Sequence, residues 1–245
     1  HVILQMPIAG AANVGDSLAA VKKVVFDEKK ITMEQLINAL DADFEGYEEI
    51  QHLLERAPKF GNDDDYVDFL LKDVLRYSCD YVKDRRSFGG AHFGTTILTL
   101  TANVMFGRNV GALPDGRKAG QPLAEGGISP YQGRNVSGLT ATLKSVAKLD
   151  QVKLALGSIL NMRIDPDAVK NDEKMDRMVS LLRTFCETGG NLVQFNFASN
   201  AVLRAAQKDP DQYRDLLVRV ATYSAFFVEL GPETQEDIIN RNELE

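Results

Sequence analysis

Three histidines, two cysteines and 35 acidic residues set the catalytic repertoire of this 245-residue chain. His1, His52 and His92 lie in unrelated contexts, and no pairing of nucleophile and base stands out around them. His52 falls on a predicted helix and reads as a surface or partly buried side chain. His92, beside Gly89-Gly90 and Phe93, is the stronger candidate for a site. Cys79 and Cys186 are isolated, with neither CxxC nor Cys/His metal spacing, so both are expected to be reduced thiols, read as small buried apolar residues, in a cytoplasmic protein. The acidic run Gly61-Asn62-Asp63-Asp64-Asp65 lacks the alternating ligands, central glycine and closing glutamate of a calcium loop. It reads better as the cap of the helix that follows, because carboxylates favour a helix N-terminus. The glycines form neither GxGxxG nor GxxxxGK[ST], which leaves little for a nucleotide phosphate.

The elements that must position these residues follow from periodicity. Val2-Ile3-Leu4 reads as a strand that ends before Pro7 and Gly10. Residues 13–30 fit a helix with Leu18, Val21, Val24 and Val25 on one face. Thr32 and Gln35 match a capping box that opens a helix through Leu36, Ile37 and Leu40. Helices are also predicted over 48–56, 66–81, 140–149, 173–187, 200–207, 210–220 and 233–242. Strands are predicted over 158–164 and 192–197. The run Thr95 to Thr101 fits either a buried strand or the start of a helix. Pro114-Asp115-Gly116-Arg117 is a turn, and it opens a long irregular segment through Gly133-Arg134. Segments of that length tend to be functional or to wrap another part of the structure. Strands separated by helices place the chain in the α/β class. The net charge of −7 argues against nucleic acid or anionic membrane as the main partner, and no apolar run approaches the roughly 20 residues of a membrane span. The first residue is His1 rather than Met, so the chain is expected to be part of something longer: a fragment, a processed piece or one half of a split enzyme.

One stretch goes beyond composition. Arg219-Val220-Ala221-Thr222-Tyr223-Ser224 resembles the signature loop of glycyl radical enzymes, R-V-(A/S)-G-Y-(S/A), with Thr222 at the glycine position. The resemblance spans nearly the whole chain. It includes residues 13–20, Phe44-Glu45-Gly46-Tyr47-Glu48, Ala57-Pro58-Lys59-Phe60-Gly61-Asn62 and Gly111-Ala112-Leu113-Pro114-Asp115-Gly116-Arg117. It continues through Gly127-Ile128-Ser129-Pro130, Val193-Gln194-Phe195-Asn196 and Arg214 to Val220. The pattern is closer to the dehydratase and C–X lyase branch than to pyruvate formate-lyase.

The resemblance implies the C-terminal part of a ten-stranded α/β barrel. Residues 1–130 would belong to its second half and 131–245 to a C-terminal glycyl-radical-type domain. It implies no bound cofactor but an organic glycyl radical, installed anaerobically by a radical SAM activating enzyme. An upstream portion of the enzyme would carry the thiyl cysteine, the substrate would be small and polar, and the assembly a homo-oligomer. Neither Cys79 nor Cys186 stands in the family's cysteine-loop context. His92, Phe93, Thr95 and Thr96 are expected to line the substrate pocket, whereas Gln194 and Asn196 are expected to satisfy buried backbone groups. Threonine departs from the pattern, since a Cβ opposes the planar, delocalised Cα that a stored radical requires. That departure leaves a second reading open, a non-catalytic partner that keeps the fold.

Overall fold

A computed structural model describes residues 3–97, 102–125, 127–154, 156–241 and 243–244. β1 (Ile3–Pro7) enters α1 (Ala11–Val21) through Gly10, whose φ of 72° is one that side-chain-bearing residues rarely adopt. The helix runs on through a π-helical turn, Lys22–Asp27, closed by Glu28 N–H donating to the Lys23 carbonyl at 2.8 Å. α2 (Met33–Asp41) starts on the predicted capping box, with both halves formed: Gln35 N–H to Thr32 Oγ1 at 3.1 Å and Thr32 N–H to Gln35 Oε1 at 2.8 Å. Thr32→Ala is therefore expected to lower stability by about 1 kcal/mol in a denaturant titration, and Thr32→Ser to restore most of it.

α3 (Glu48–Glu55) and α4 (Asp65–Lys83) follow, the latter capped by Asp64 accepting from Tyr66 N–H at 2.9 Å. The rest of the acidic run has a second use. Asp63, Asp65 and Asp68 converge on the Lys148 ammonium at 2.7, 2.7 and 2.8 Å. Burial alone would lower Lys148, but the three carboxylates together hold it above the usual lysine range.

β2 (His92–Thr96) lies parallel to β1, in register from Ile3 opposite His92 to Pro7 opposite Thr96. The Thr-rich run is thus a strand as far as it is described; residues 98–101 lie outside the described set. α5 (Ala102–Gly107), which the periodicity did not announce, leads into the long irregular segment. α6 (Gly138–Ala147), β3 (Leu160–Ile164), α7 (Asp172–Glu187), β4 (Val193–Asn196), α8 (Asn200–Lys208), β5 (Leu217–Arg219), β6 (Ser224–Phe226), α9 (Pro232–Asn240) and β7 (Glu243–Leu244) complete the order. β3, buried at every residue, is flanked in parallel by β4 and β7. Parallel strands with helices between them place the described part in the α/β class.

Two expectations are corrected. Residues 210–220 are not a helix: a single 3₁₀ turn, Pro210–Tyr213, gives way to β5. The alternation Leu217, Val218, Arg219, Val220 buries Val218 and Val220 and leaves Leu217 exposed, so a period of two wins once β6 is available to pair. Cys79 is buried as expected, but Cys186 is exposed on α7.

Among the described residues, three apolar clusters hold the elements. The largest joins α1 and α4 to α6, α7 and β3. A second fills the space among α1, α2 and α3 around Phe44 and Leu54. The third gathers Leu203, Val218, Val220, Phe227, Ile238 and Ile239, and so ties the β5–β6 hairpin to α8 and α9.

A buried ionic cluster pins α1 to the irregular segment. Asp16 accepts from Phe60 N–H at 2.7 Å, Asn13 donates to Asp115 at 2.7 Å, and Arg134 reaches Asp115 at 3.2 Å and Asp16 at 3.7 Å. Burial pushes the Asp16 carboxyl up to about 7, with nearby Lys59 opposing. A raised carboxyl stabilises the fold fully below its unfolded value near 3.9, and that contribution is lost as pH rises through about 7. Asp16→Asn should remove this dependence. In urea titrations the stability of wild type minus that of the variant should fall as pH rises across pH 4–7, by up to about 1.4 kcal/mol per unit. A difference independent of pH would show that Asp16 titrates normally.

Candidate functional site

The stretch singled out by sequence is an antiparallel hairpin. β5 and β6 pair Leu217 with Phe226, Val218 with Ala225 and Arg219 with Ser224. The turn is closed by Val220 N–H donating to the Tyr223 carbonyl at 3.0 Å, so the four residues Val220 to Tyr223 form its tip. Val220 and Ala221 face inward and are buried. Thr222 is exposed, as are Ser224 and Tyr223, the latter 47% accessible. Thr222 is not among the residues with positive φ, so this turn does not itself demand a glycine there.

Polar contacts clamp the hairpin just below its turn. Arg219 Nε donates to Gln194 Oε1 at 3.0 Å and its Nη1 to Ser224 Oγ at 3.4 Å. Asn196 Nδ2 donates to the Arg219 carbonyl at 3.2 Å. The expectation that Asn196 satisfies a backbone group therefore holds, whereas Gln194 receives a guanidinium instead. A groove of about 430 Å³ beside the hairpin is lined by Gln194 to Asn196 of β4, by Phe197 just after it, and by Leu217, Val218, Arg219 and Ser224.

Beneath the tip lies a polar network that sequence reasoning missed. Arg241, just beyond α9, donates from Nη1 to the Val220 carbonyl at 3.0 Å and from Nη2 to Asp237 Oδ2 at 2.9 Å. Glu125 Oε2 stands 3.8 Å from the same guanidinium. Asp237 Oδ1 accepts from Asn103 at 3.0 Å and from Gln132 at 2.6 Å, while Glu125 is hydrogen-bonded by Asn161. Burial pushes the Glu125 carboxyl up, with Arg241 opposing. The only local signal in the sequence was an Asp237/Arg241 pair at i,i+4, a spacing shared with many surface pairs.

His92, Phe93, Thr95 and Thr96 sit elsewhere, on β2 against β1 and α4. His92 is exposed and Phe93 half-buried, while Thr95 and Thr96 are buried; Thr96 Oγ1 donates to the Gly157 carbonyl at 3.0 Å. The groove beside the hairpin contains none of the four. Among the described residues, no group of three His, Cys, Asp or Glu side chains is placed to hold a metal ion. No described helix is long and apolar enough to cross a membrane.

Comparison with known proteins places the whole arrangement. The family profile described as Pyruvate formate lyase-like matches residues 2–107, and that described as Glycine radical matches residues 124–228. The chain belongs to the glycyl radical enzymes, and it corresponds to the C-terminal part of their ten-stranded α/β barrel. It is 44% identical to the isethionate sulfite-lyase of Desulfovibrio desulfuricans, a match covering 96% of this chain and 28% of that protein. It is 41% identical to the trans-4-hydroxy-L-proline dehydratase of Clostridioides difficile, covering 96% and 30%. The glycerol-bound B12-independent glycerol dehydratase from Clostridium butyricum superposes with a TM-score of 0.95 at 46% identity, over 99% of this chain and 31% of that one. The chain thus spans 28–31% of the length of these relatives. The second of the two profiles ends at residue 228, so it includes the hairpin.

The side chain at the hairpin tip does not fit a stored Cα radical. Glycine is the one residue whose Cα can flatten without a Cβ to oppose it, and threonine adds a branch at that Cβ.

Proposed function

We propose that this chain is the radical-loop portion of a glycyl radical enzyme that dehydrates, or cleaves a C–X bond in, a small polar substrate. The observation that carries the reading is the hairpin. The R-V-A-x-Y-S sequence is presented on an exposed turn whose every other residue is anchored or packed, within a chain similar throughout to named dehydratases and a sulfite-lyase. Thr222 stands at the tip position that the family gives to glycine. The intact surroundings support the enzymatic reading over a non-catalytic partner, because a hairpin freed from function has no need of buried polar clamps.

In this reading residues 1–130 belong to the barrel and 131–245 to the radical-loop domain. The upstream portion supplies the thiyl cysteine, the enzyme is a cytoplasmic homo-oligomer working anaerobically, and a radical SAM activase is the partner of the loop in its glycine form. His92 and Phe93, at the accessible end of β2, face the substrate space, with Thr95 and Thr96 behind them in the wall.

The reading is tested by turnover. The complete enzyme with Thr222→Gly, activated anaerobically, is offered glycerol, trans-4-hydroxy-L-proline and isethionate, and carbonyl, dehydrated or sulfite products are measured. Product from one of the three is expected. Activated enzyme that leaves these and other small polyols untouched would sink the assignment to the dehydratase and C–X lyase class.

A further inference from the structure

A hairpin of two three-residue strands has little stability of its own, so its pose must be imposed from outside. Two kinds of contact do this. Apolar side chains root the hairpin in the third cluster: Val218 and Phe227 below the turn and Val220 at its start. Polar contacts fix the backbone: Asn196 holds the Arg219 carbonyl, inside the last registered pair, and Arg241 holds the Val220 carbonyl, one residue beyond it. The Arg241 contact therefore lies nearest the tip, two residues from Thr222.

We propose that Arg241 is the positioning residue for the tip of the hairpin. Its guanidinium is a planar fork, with one arm on the hairpin carbonyl and the other on Asp237. Asp237 is itself immobilised by Asn103 and Gln132, and Glu125 completes the negative surroundings of the guanidinium. The fork transmits the position of α9 and of the irregular segment to the turn. A flexible ammonium in its place would offer a point charge without the fixed angle between its two contacts. The functional meaning of this strut rests on reading the hairpin as the radical loop; the mechanical claim does not.

The test uses the complete enzyme with threonine retained at 222, so that no radical is involved and a failure of the radical-loop reading leaves the result intact. Hydrogen–deuterium exchange is compared for wild type and Arg241→Gln. Exchange in peptides covering 217–227, which contain the Val220 and Phe227 amides, is expected to accelerate about tenfold, with peptides from β3 and α7 unchanged. Unchanged exchange across the hairpin would overturn the proposal. So would an acceleration shared equally by β3 and α7, which would make Arg241 a general structural residue. Should the glutamine variant not fold, Arg241→Lys keeps a charge beside Asp237 and Glu125. The same hairpin-confined acceleration is expected of it, and full protection would again overturn the proposal.

Discussion

An organic-radical doublet is expected in the electron paramagnetic resonance spectrum of the complete enzyme bearing Thr222→Gly, after anaerobic incubation with a radical SAM activase, and no signal from the threonine form. The effect should be all-or-none. A glycyl Cα that loses one hydrogen keeps one, and coupling to that single proton splits the line in two. Growth on α-deuterated glycine should therefore collapse the doublet. Threonine has only one α-hydrogen to lose, and its branched Cβ resists the planar geometry that spreads the spin over both neighbouring peptides. The substitution itself should be tolerated. Thr222 is exposed and the turn is closed by backbone atoms of Val220 and Tyr223, so the penalty is the added freedom of the unfolded glycine, about 1 kcal/mol. A doublet from the threonine form that collapses on growth with α-deuterated glycine would mean that another glycine stores the spin. Silence from the glycine form would mean that the hairpin is not the radical site.

The largest expected loss of stability lies outside the hairpin, at Arg117. This side chain is fully buried, yet its five hydrogen bonds all go to backbone carbonyls: Pro122 at 3.1 Å, Val110 at 3.4 Å, Gly111 at 2.9 Å, Gly107 at 2.7 Å and Gln121. A segment without regular structure has no ladder to satisfy its own carbonyls, and here one guanidinium does so for much of residues 107–122. Arg117→Ala would leave those acceptors unpaired around a cavity. A loss of at least about 3 kcal/mol is expected by chemical denaturation, since each orphaned buried group costs about 1–3 kcal/mol. Arg117→Lys should recover only part of it, because three donors on one atom cannot span the same arc. A loss below about 1 kcal/mol for the alanine variant would show that water takes over those carbonyls.

What the sequence disclosed follows the range of the interactions. Local devices were legible: the Thr32/Gln35 box, the Asp64 cap and the turn at Gly116, where φ is 94°, each declare themselves within four residues. The helix predicted over 210–220 failed because Leu216, Leu217, Val218 and Val220 carry an apolar pattern that either period can claim, and the deciding strand, β6, lies in the next segment. The hairpin was recognised by its motif, but its supports were not. Arg219 was singled out, whereas Glu125 carries no signal of shared location and the i,i+4 spacing of Asp237 and Arg241 is one that many surface pairs share. The exposure of Cys186 was hidden too, because a cysteine in a helix looks alike on either face.

The distances in sequence across the network beneath the hairpin also say when it can form. Asn103 and Asp237 are 134 residues apart, and the group that touches the turn, Arg241, lies beyond both. Closing so long a loop is entropically slow, so local helices such as α2 and α4 should be in place well before it. During synthesis the turn at Thr222 will have left the ribosome before the residue that fixes it. The nascent protein therefore passes through an interval in which the hairpin has been made and the residue that fixes its turn has not.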